Sequence, residues 1–221
     1  MDSGSLIVRG AITVVGDTVT AGTHSGTGTD GSAFGAGVFL QGNGAIRFSP
    51  GRGQTEHVLN AIDDQVGVEA NGYLPPGGFT PGSYRLIKSG LGTLVLSADN
   101  AYTGGTTLKL GTLELAAVTA AGTGDITLAP NSHATLRIDN AAFSSDVFSN
   151  TIDSFGRHDI LDLHGLHFRV GATAAYDNAI QQLSVHSGSV TDVLFMNSPH
   201  GTHFSVASDH HGGTDVFLLF A

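Results

Sequence analysis

The chain has 221 residues, and their composition already excludes several classes of protein. Glycine supplies 32 of them without a Gly-X-Y period, so the chain is not a collagen, and a hydrophobic content of 40 % excludes wholesale disorder. The formal net charge of −10 disfavours nucleic acid and anionic membrane surfaces as partners, and the lack of Cys excludes a disulfide framework.

The first part of the chain, residues 1–149, predicts short β-strands that each follow a turn residue, usually Gly. Only 2 Lys and 3 Glu occur beside 16 Asp, and this composition favours strands and turns over helices. The predicted strands are 10–14, 44–48, 92–96, 111–115, 124–128 and 134–138. The turn-rich stretches 21–37, 74–78 and 81–82 predict loops, and residues 54–66 fit either a short helix or a strand and turn.

The spacing of these strands predicts stacked coils. Intervals of roughly 20 residues separate Gly92 from Gly111 and Thr112 from Thr135. A period of roughly 20 residues that contains strands is typical of a solenoid. At that period the whole chain would form about ten coils, in a rod about 50 Å long.

The pattern changes at about residue 150, where His becomes frequent. Eight of the 11 His lie between His158 and His211. The predicted strands in this part are 159–163, 182–185, 192–196, 203–206 and 215–219. We therefore divide the chain into residues 1–149 and a His-rich β module, residues 150–221, that continues or caps the stack. A cap is expected because the end of a solenoid exposes unpaired strand edges.

Residues 86–113 carry a specific family resemblance. This stretch resembles the passenger-associated repeat of bacterial autotransporters, whose pattern is K-x-G-x-G-T-L-x-L-x-x-x-N-x-Y-T-G-G-T-x-x-x-x-G-T-L. The positions that meet it are Lys88, Gly90, Gly92, Thr93, Leu94, Asn100, Tyr102, Gly104, Gly105, Thr106, Gly111, Thr112 and Leu113. Residues 32–44 are similar to passenger sequence that precedes such repeats. The resemblance implies a right-handed parallel β-helix that helps the passenger fold as it leaves the cell.

The C-terminal part has a second resemblance. Residues 152–163 and 209–216 are similar to segments of large secreted bacterial repeat proteins. The calcium nonapeptide G-G-x-G-x-D of those proteins is absent from the sequence, and so is the zinc-protease motif H-E-x-x-H. The N-terminus lacks the features of a signal peptide, and we expect the chain to be a piece of a longer exported protein.

The His-rich part supplies the candidate metal ligands. They are His164, His167, His200, His203, His210 and His211. With Asp159 and Asp162 nearby, these imidazoles are compatible with Zn, Ni or Cu. Residues three apart in a strand point to opposite faces, so neither His-x-x-His pair converges without a bend. The alternative interpretation is a solvated polar surface, which would be pH-sensitive.

No motif predicts an enzyme. A catalytic cluster on a β-helix would need acidic residues beside Arg on one face. The candidates for such a face are Arg47, Arg85 and Arg137 with an Asp. The acids are scattered, with one adjacent pair at Asp63 and Asp64, and no G-x-S-x-G motif occurs. We therefore expect neither catalytic residues nor a cofactor.

The sequence predicts an all-β protein, a right-handed parallel β-helix with a C-terminal β capping module. Its predicted function is that of a non-enzymatic autotransporter passenger of a Gram-negative bacterium, secreted or at the cell surface. It would act as an adhesive or structural stalk and as a secretion-folding scaffold. The expected partners are a host glycan, a host surface protein or further copies of the chain, without nucleic acid or membrane insertion. The alternatives are a carbohydrate-binding or carbohydrate-active β-helix and a metal-binding His-rich surface module.

Overall fold

The computed structural model describes residues 3–8, 13–14, 37–69 and 80–219, which form an all-β protein. The strands are β1 (Ser3–Val8), β2 (Thr13–Val14), β3 (Val38–Leu40), β4 (Asn43–Phe48), β5 (Thr55–Val58), β6 (Ile62–Asp64), β7 (Tyr84–Lys88), β8 (Thr93–Leu96), β9 (Thr106–Leu108), β10 (Gly111–Leu115), β11 (Ile126–Leu128), β12 (Ala134–Ile138), β13 (Val147–Asp153), β14 (Ile160–Leu163), β15 (Thr173–Asp177), β16 (Gln182–Ser187), β17 (Val190–Asn197), β18 (Phe204–Ser208) and β19 (Thr214–Leu218). A short helix α1 spans Gln65–Glu69, and a 3-10 turn spans Asn140–Ala142.

The predicted strands are confirmed wherever the structure describes them, with ends shifted by a few residues. Of the predicted strand 10–14, residues 13–14 are described and form β2. The predicted loops at 21–36 and 74–78 lie outside the described residues. In the region 54–66, the strand-and-turn alternative is confirmed by β5 and β6, and helix α1 begins only at Gln65.

The strands form two large sheets, and over much of its length the chain passes alternately from one sheet to the other. Sheet A has the order β1-β4-β7-β9-β11-β13-β17-β16-β15, and sheet B has the order β18-β19-β14-β12-β10-β8-β5-β2. The strands β3 and β6 form a small parallel pair of their own. From β7 to β14 each successive strand joins the other large sheet, and within each sheet these neighbours are parallel. We call one strand in each sheet, together with the connections between them, a circuit of the chain. Each circuit therefore adds one strand to each sheet.

The predicted spacings are confirmed by the register of sheet B. Thr93 pairs with Thr112, and Thr112 pairs in turn with Thr135. The expectation of about ten coils is wrong for the described residues, since six parallel strands make up this part of sheet B. Earlier circuits are longer, because β4 pairs with β7 through Gly44 and Tyr84, which are about twice as far apart in the sequence. Because the connections between these strands are longer than the estimate assumed, the same number of residues forms fewer coils.

The core lies between the sheets and is built from inward side chains in register. On sheet B, Leu94, Leu113, Leu136 and Leu161 form a continuous row, and each is fully buried. Burying a leucine stabilises a fold by about 1.5–3 kcal/mol, so this row and its counterpart on sheet A supply the main driving force for folding.

Beyond β13 and β14 the pairing changes from parallel to antiparallel. In sheet A, β17 still runs parallel to β13, but β16 and β15 follow it as an antiparallel meander. In sheet B, β19 pairs antiparallel with β14, and β18 with β19. The rings of Phe155 and Tyr176 lie 6.0 Å and 5.8 Å from that of Phe204, so aromatic packing joins the two sheets at this end.

Among the described residues, no helix is long and apolar enough to cross a membrane.

Candidate functional site

Lys88 ties one circuit of the chain to the next. It ends β7 in register with Phe48 and Leu108, and its side chain is fully buried. Its Nζ donates hydrogen bonds to the carbonyl oxygens of Ser89 (3.2 Å), Gly90 (2.9 Å) and Leu110 (2.8 Å). Leu110 belongs to the following circuit, so the ammonium group closes a corner that neither circuit forms alone.

Glu56 accompanies Lys88 in the interior, and sequence reasoning missed it. It occupies the inward position of β5 that Leu94 occupies in the next strand, and it is fully buried. Neither carboxylate oxygen of Glu56 has a hydrogen-bond partner among the described residues. Burial raises the pKa of Glu56 to about 7, and the charge of Lys88 opposes this shift. Burial likewise lowers the pKa of Lys88 to about 8, against the charge of Glu56.

Asn100 bridges three circuits. Its Oδ1 accepts a hydrogen bond from the backbone N–H of Ile62 (2.7 Å), and its Nδ2 donates to the carbonyl oxygen of Ala120 (2.5 Å). These partners lie 38 residues before and 20 residues after it. A buried amide with both ends satisfied specifies one register, because a shifted strand would leave the amide unpaired.

Tyr102 and Thr106 form the polar part of the same core. The Tyr102 hydroxyl lies 2.6 Å from Thr106 Oγ1, which donates to the carbonyl oxygen of Ala121 at 3.1 Å. Burial raises the pKa of Tyr102 well above its ordinary value, although the hydrogen bond with Thr106 opposes the shift. The tyrosine is therefore a neutral interior group rather than a reactive one.

The glycines of the repeat allow close approach between stacked corners. Gly90 and Gly111 have φ of 79° and 71°, which other residues rarely adopt. A Cβ on Gly111 would lie 2.5 Å from the carbonyl oxygen of Gly92, and one on Gly104 would lie 2.6 Å from that of Tyr84. The remaining repeat positions follow the strand alternation: Leu94 and Leu113 are buried inward, and Thr93 and Thr112 are half-buried beside them.

The structure does not bring the six predicted histidines into one metal-ligand group among the described residues. His167 Nδ1 contacts the carbonyl oxygen of Gly212 (3.1 Å), His203 Nδ1 contacts Thr202 Oγ1 (3.4 Å), and His211 Nδ1 contacts the carbonyl oxygen of Asp209 (2.9 Å). Among the described residues, His164 alone of the six belongs to a group with metal-ligand spacing. Asp159 is not in that group, because it accepts hydrogen bonds from Ser132 Oγ and from the N–H groups of Ala134 and Gly156.

That group consists of Asp162, His164 and Asp209, which we call the Asp–His cluster. One donor atom from each residue lies within 4.8 Å of the others, and His164 Nδ1 is 3.5 Å from Asp209 Oδ2. Asp162 lies on β14, His164 follows that strand, and Asp209 lies in the turn between β18 and β19. Burial raises the pKa of Asp209, but the backbone N–H groups of His211 and Gly213 outweigh it and hold the pKa below its usual range.

A row of charged residues leads to this cluster across sheet B. Glu114, Arg137, Asp162 and Asp215 are in register on β10, β12, β14 and β19. Arg137 lies 3.3 Å from Glu114 and 2.7 Å from Asp162. Arg47, Arg85 and Arg137, which a catalytic cluster would have needed on one face, do not share a sheet, because Arg47 and Arg85 lie on strands of sheet A and Arg137 on a strand of sheet B.

Comparisons with known proteins agree with the repeat geometry. The family model described as Passenger-associated-transport-repeat matches residues 86–115. Over 84 residues, 36 % of this chain, the sequence is 39 % identical to the Adhesin BmaC autotransporter of Brucella suis biovar 1 (strain 1330). The resemblance to autotransporter passengers is confirmed. The chain spans 2 % of the length of that adhesin. No solved structure gives a significant match.

The same two matches confirm the predicted location, which is secreted or at the cell surface. Residues 86–115, called the passenger repeat below, contain Lys88, Asn100, Tyr102 and Gly111. Of the positions that match the family pattern, Lys88, Asn100 and Thr106 hydrogen-bond to a neighbouring circuit through their side chains, and Gly104 and Gly111 approach one closely.

A shallow polar groove runs over the passenger repeat. Its lining residues are Thr103, Gly104, Gly105, Thr106, Thr107, Gly124, Asp125 and Thr127. The groove offers hydroxyl groups and one carboxylate, and none of its lining residues in the described part of the chain is aromatic. This lining suits hydrogen bonds to a polar ligand, but it lacks the flat ring on which a sugar commonly stacks.

The side chains of the adjacent acids Asp63 and Asp64 accept hydrogen bonds from backbone N–H groups of other circuits. Asp64 Oδ2 accepts hydrogen bonds from the N–H groups of Tyr84 (2.8 Å) and Thr103 (2.7 Å), and Asp63 Oδ1 accepts one from Ala101 (3.1 Å). Asp64 is fully buried. Its position next to the start of α1 gave no sequence signal for this role, because the partners lie 20 and 39 residues away.

Proposed function

We propose that this chain forms a right-handed parallel β-helix of a passenger, with residues 1–149 as the helix and residues 150–221 as its C-terminal β cap. The alternation of parallel strands between sheets A and B supports this architecture. Connections between parallel strands of one sheet are right-handed in about 98 % of known cases, which supports the handedness. The antiparallel strands at the C-terminal end support the cap.

We infer a non-enzymatic role as a structural stalk and secretion-folding scaffold. The observation that carries it is the bonding of the passenger repeat: Lys88, Asn100 and Thr106 each bond to a neighbouring circuit. A circuit of this kind is complete only when its neighbours are in place. Folding of such a stack propagates from one end, and a propagating front can draw a chain outward during export.

The C-terminal module is the proposed start of that propagation. Its strands β15, β16 and β17 form a meander, and β18 and β19 form a hairpin, so their partners are close in sequence. Local pairings close short loops and form faster than the parallel pairings of the helix, whose partners lie at least one whole circuit apart. The cap then offers β14 and β17 as a template for the next circuit.

Refolding kinetics test this proposal with two matched substitutions. Leu183 in β16 and Leu113 in β10 are both fully buried leucines of sheet interiors. Leu183→Ala is expected to slow refolding about tenfold, because a cavity in the nucleus destabilises the transition state. Leu113→Ala is expected to leave refolding within about twofold and to speed unfolding instead. Equal slowing by both, or greater slowing by Leu113→Ala, would show that folding does not start in the cap.

We propose an adhesive role beside the structural one, with a host glycan or surface protein as partner. The support is the match to a protein named an adhesin and the hydroxyl-lined groove over the passenger repeat. Binding of the full chain to a glycan array, repeated with Asp125→Asn, tests it. A glycan that the chain retains and the variant loses supports the role, and an array without specific binding removes glycans from the list of partners.

A further inference from the structure

The Asp–His cluster joins the last parallel strand of sheet B to the antiparallel cap. Asp162 and His164 come from β14 and the residue after it, and Asp209 comes from the turn between β18 and β19. A Cβ on Gly213 would lie 2.7 Å from Asp209 Oδ2 and 2.9 Å from the Cα of His164. Glycine at 213 therefore permits the approach that brings the three side chains together.

In each carboxylate of the cluster, one oxygen accepts hydrogen bonds and the other accepts none among the described residues. Arg137 Nε donates to Asp162 Oδ2 at 2.7 Å, and the N–H groups of His211 and Gly213 both donate to Asp209 Oδ1 at 2.7 Å. The other oxygens, Asp162 Oδ1 and Asp209 Oδ2, are buried and have no hydrogen-bond partner among the described residues. Both side chains are only 4 % exposed.

An unpartnered buried carboxylate oxygen costs free energy unless a positive charge or a donor faces it. Among the described residues, Arg137 contacts Asp162 and is shared with Glu114 at 3.3 Å, and His164 Nδ1 faces Asp209 Oδ2 at 3.5 Å. Asp215 pairs with Asp162 across β14 and β19 and adds a further acid. His164 is 42 % exposed, so the group is open to solvent on one side.

We propose that Asp162, His164 and Asp209 bind one divalent first-row cation, with Zn²⁺ preferred over Mn²⁺. Carboxylate oxygens and an imidazole nitrogen are both ligands that Zn²⁺ takes, Zn²⁺ binds such N/O sites more tightly than Mn²⁺ does, and solvent would complete the coordination on the side of His164. Ca²⁺ is disfavoured, because it takes six to eight oxygen ligands. Arg137 and the N–H groups of His211 and Gly213 fix the orientation of the two carboxylates. The ion clamps the cap to the end of the parallel stack.

Calorimetric titration of the full, metal-free chain with Zn²⁺, Mn²⁺ and Ca²⁺ at pH 7.5 tests the proposal. We expect one tight Zn²⁺ site per chain, a weaker Mn²⁺ response and no tight Ca²⁺ site. His164→Ala and Asp209→Asn should each weaken Zn²⁺ binding at least tenfold. His203→Ala, which removes an exposed His of the same module outside the cluster, should leave the affinity unchanged.

Thermal unfolding gives an independent reading of the same site. Zn²⁺ should raise the unfolding temperature of the wild-type chain and of His203→Ala, but not that of His164→Ala. The side chain of His164 is exposed, so its removal does not disturb the core. A Zn²⁺ affinity that His164→Ala and Asp209→Asn leave unchanged would overturn the proposal. So would a stoichiometry above one that falls equally with any His substitution, since this indicates surface binding.

Discussion

At the scale of single residues, the buried Lys88 has a role that its residue type does not suggest. Lysine is rarely buried unless its ammonium group is bonded. Here the three carbonyl oxygens of Ser89, Gly90 and Leu110 satisfy all three of its N–H donors. The fixed Lys of the passenger repeat is thus a corner clamp in the interior and not a surface charge.

Lys88→Met tests this clamp, and Lys109→Met is its matched control. Lys109 is the other lysine of the chain, and it is exposed. Met fills a similar volume, but it leaves three carbonyl groups unbonded and Glu56 without a nearby cation. We expect Lys88→Met to lower the free energy of unfolding by about 2–4 kcal/mol in urea titrations. Lys109→Met should change it by less than about 0.5 kcal/mol. Similar values for the two variants would show that Lys88 is not a clamp.

The carboxyl group of Glu56 predicts a pH dependence of stability. Its folded-state pKa of about 7 lies above the ordinary 4.5, because burial disfavours the charged form. The folded chain therefore keeps a proton that the unfolded chain has released. Stability from this group is full below about pH 4.5 and is lost as the pH rises through about 7.

Glu56→Gln isolates this contribution. Gln does not titrate, so the free energy of unfolding of the variant should fall less between pH 4.5 and 7 than that of the wild type. The difference between the two decreases should be about 2–3 kcal/mol. Urea titrations of both chains across this range measure the difference, in which the other titrating groups cancel. Parallel stability curves for the two chains would mean that Glu56 is already ionised in the fold.

At the scale of elements, the corners between strands are set by glycine. Gly111 and Gly53 both adopt positive φ, 71° and 73°. They differ in their surroundings, because a Cβ on Gly111 would meet the Gly92 carbonyl oxygen at 2.5 Å, whereas nothing lies within 4 Å of one on Gly53. The pair therefore separates backbone strain from close packing.

Gly53→Ala should cost about 1–2 kcal/mol, the strain of a left-handed backbone alone. Gly111→Ala should cost this amount plus about 1–3 kcal/mol, because the stacked corners must also move apart. Thermal or urea unfolding of both variants measures the difference. Equal losses of stability would contradict the close stacking of corners in the passenger repeat.

The same scale shows why the sequence predicted one sheet better than the other. In sheet B, Gly-Thr-Leu occurs at β8 and β10 and Ala-Thr-Leu at β12, and β8, β10, β12 and β14, which share apolar inward positions, were all predicted. On sheet A, the predictions missed β7, β9, β13 and β15. Polar residues take inward positions there, such as Lys88, Thr106 and Asn150, which are all buried. Their partners are backbone groups of other circuits, and those partners are invisible to a pattern of hydrophobicity.

The candidate site residues were likewise predicted only where the sequence pattern fixes them, and not where distant strands bring them together. The spacing of the repeat located the side chains that bond between circuits, because a family pattern fixes their positions. Asp162 and His164 were named from the His-rich composition, but Asp209 was not, since it joins them only through the antiparallel pairing of β14 with β19. Long-range pairing also explains why the other five predicted histidines are not in the Asp–His cluster.

At the scale of the whole molecule, parallel strands are followed by antiparallel strands in both sheets. The parallel part has many long-range contacts, which slow folding, and the antiparallel part has local ones. This arrangement suits a chain that folds in one direction from its C-terminal end, and the register of the stack is the feature on which that account depends.

Cysteine pairing measures that register most directly, because the natural chain contains no Cys. Thr93, Thr112 and Thr135 are half-buried and follow one another in register on β8, β10 and β12. Adjacent strands lie about 4.8 Å apart, within the reach of a disulfide, and strands two apart lie at about twice that distance, beyond it. On mild oxidation, Thr93→Cys/Thr112→Cys and Thr112→Cys/Thr135→Cys should cross-link, and Thr93→Cys/Thr135→Cys should not. A cross-link in the third chain, or none in the first two, would contradict the stacked circuits on which the proposed function rests.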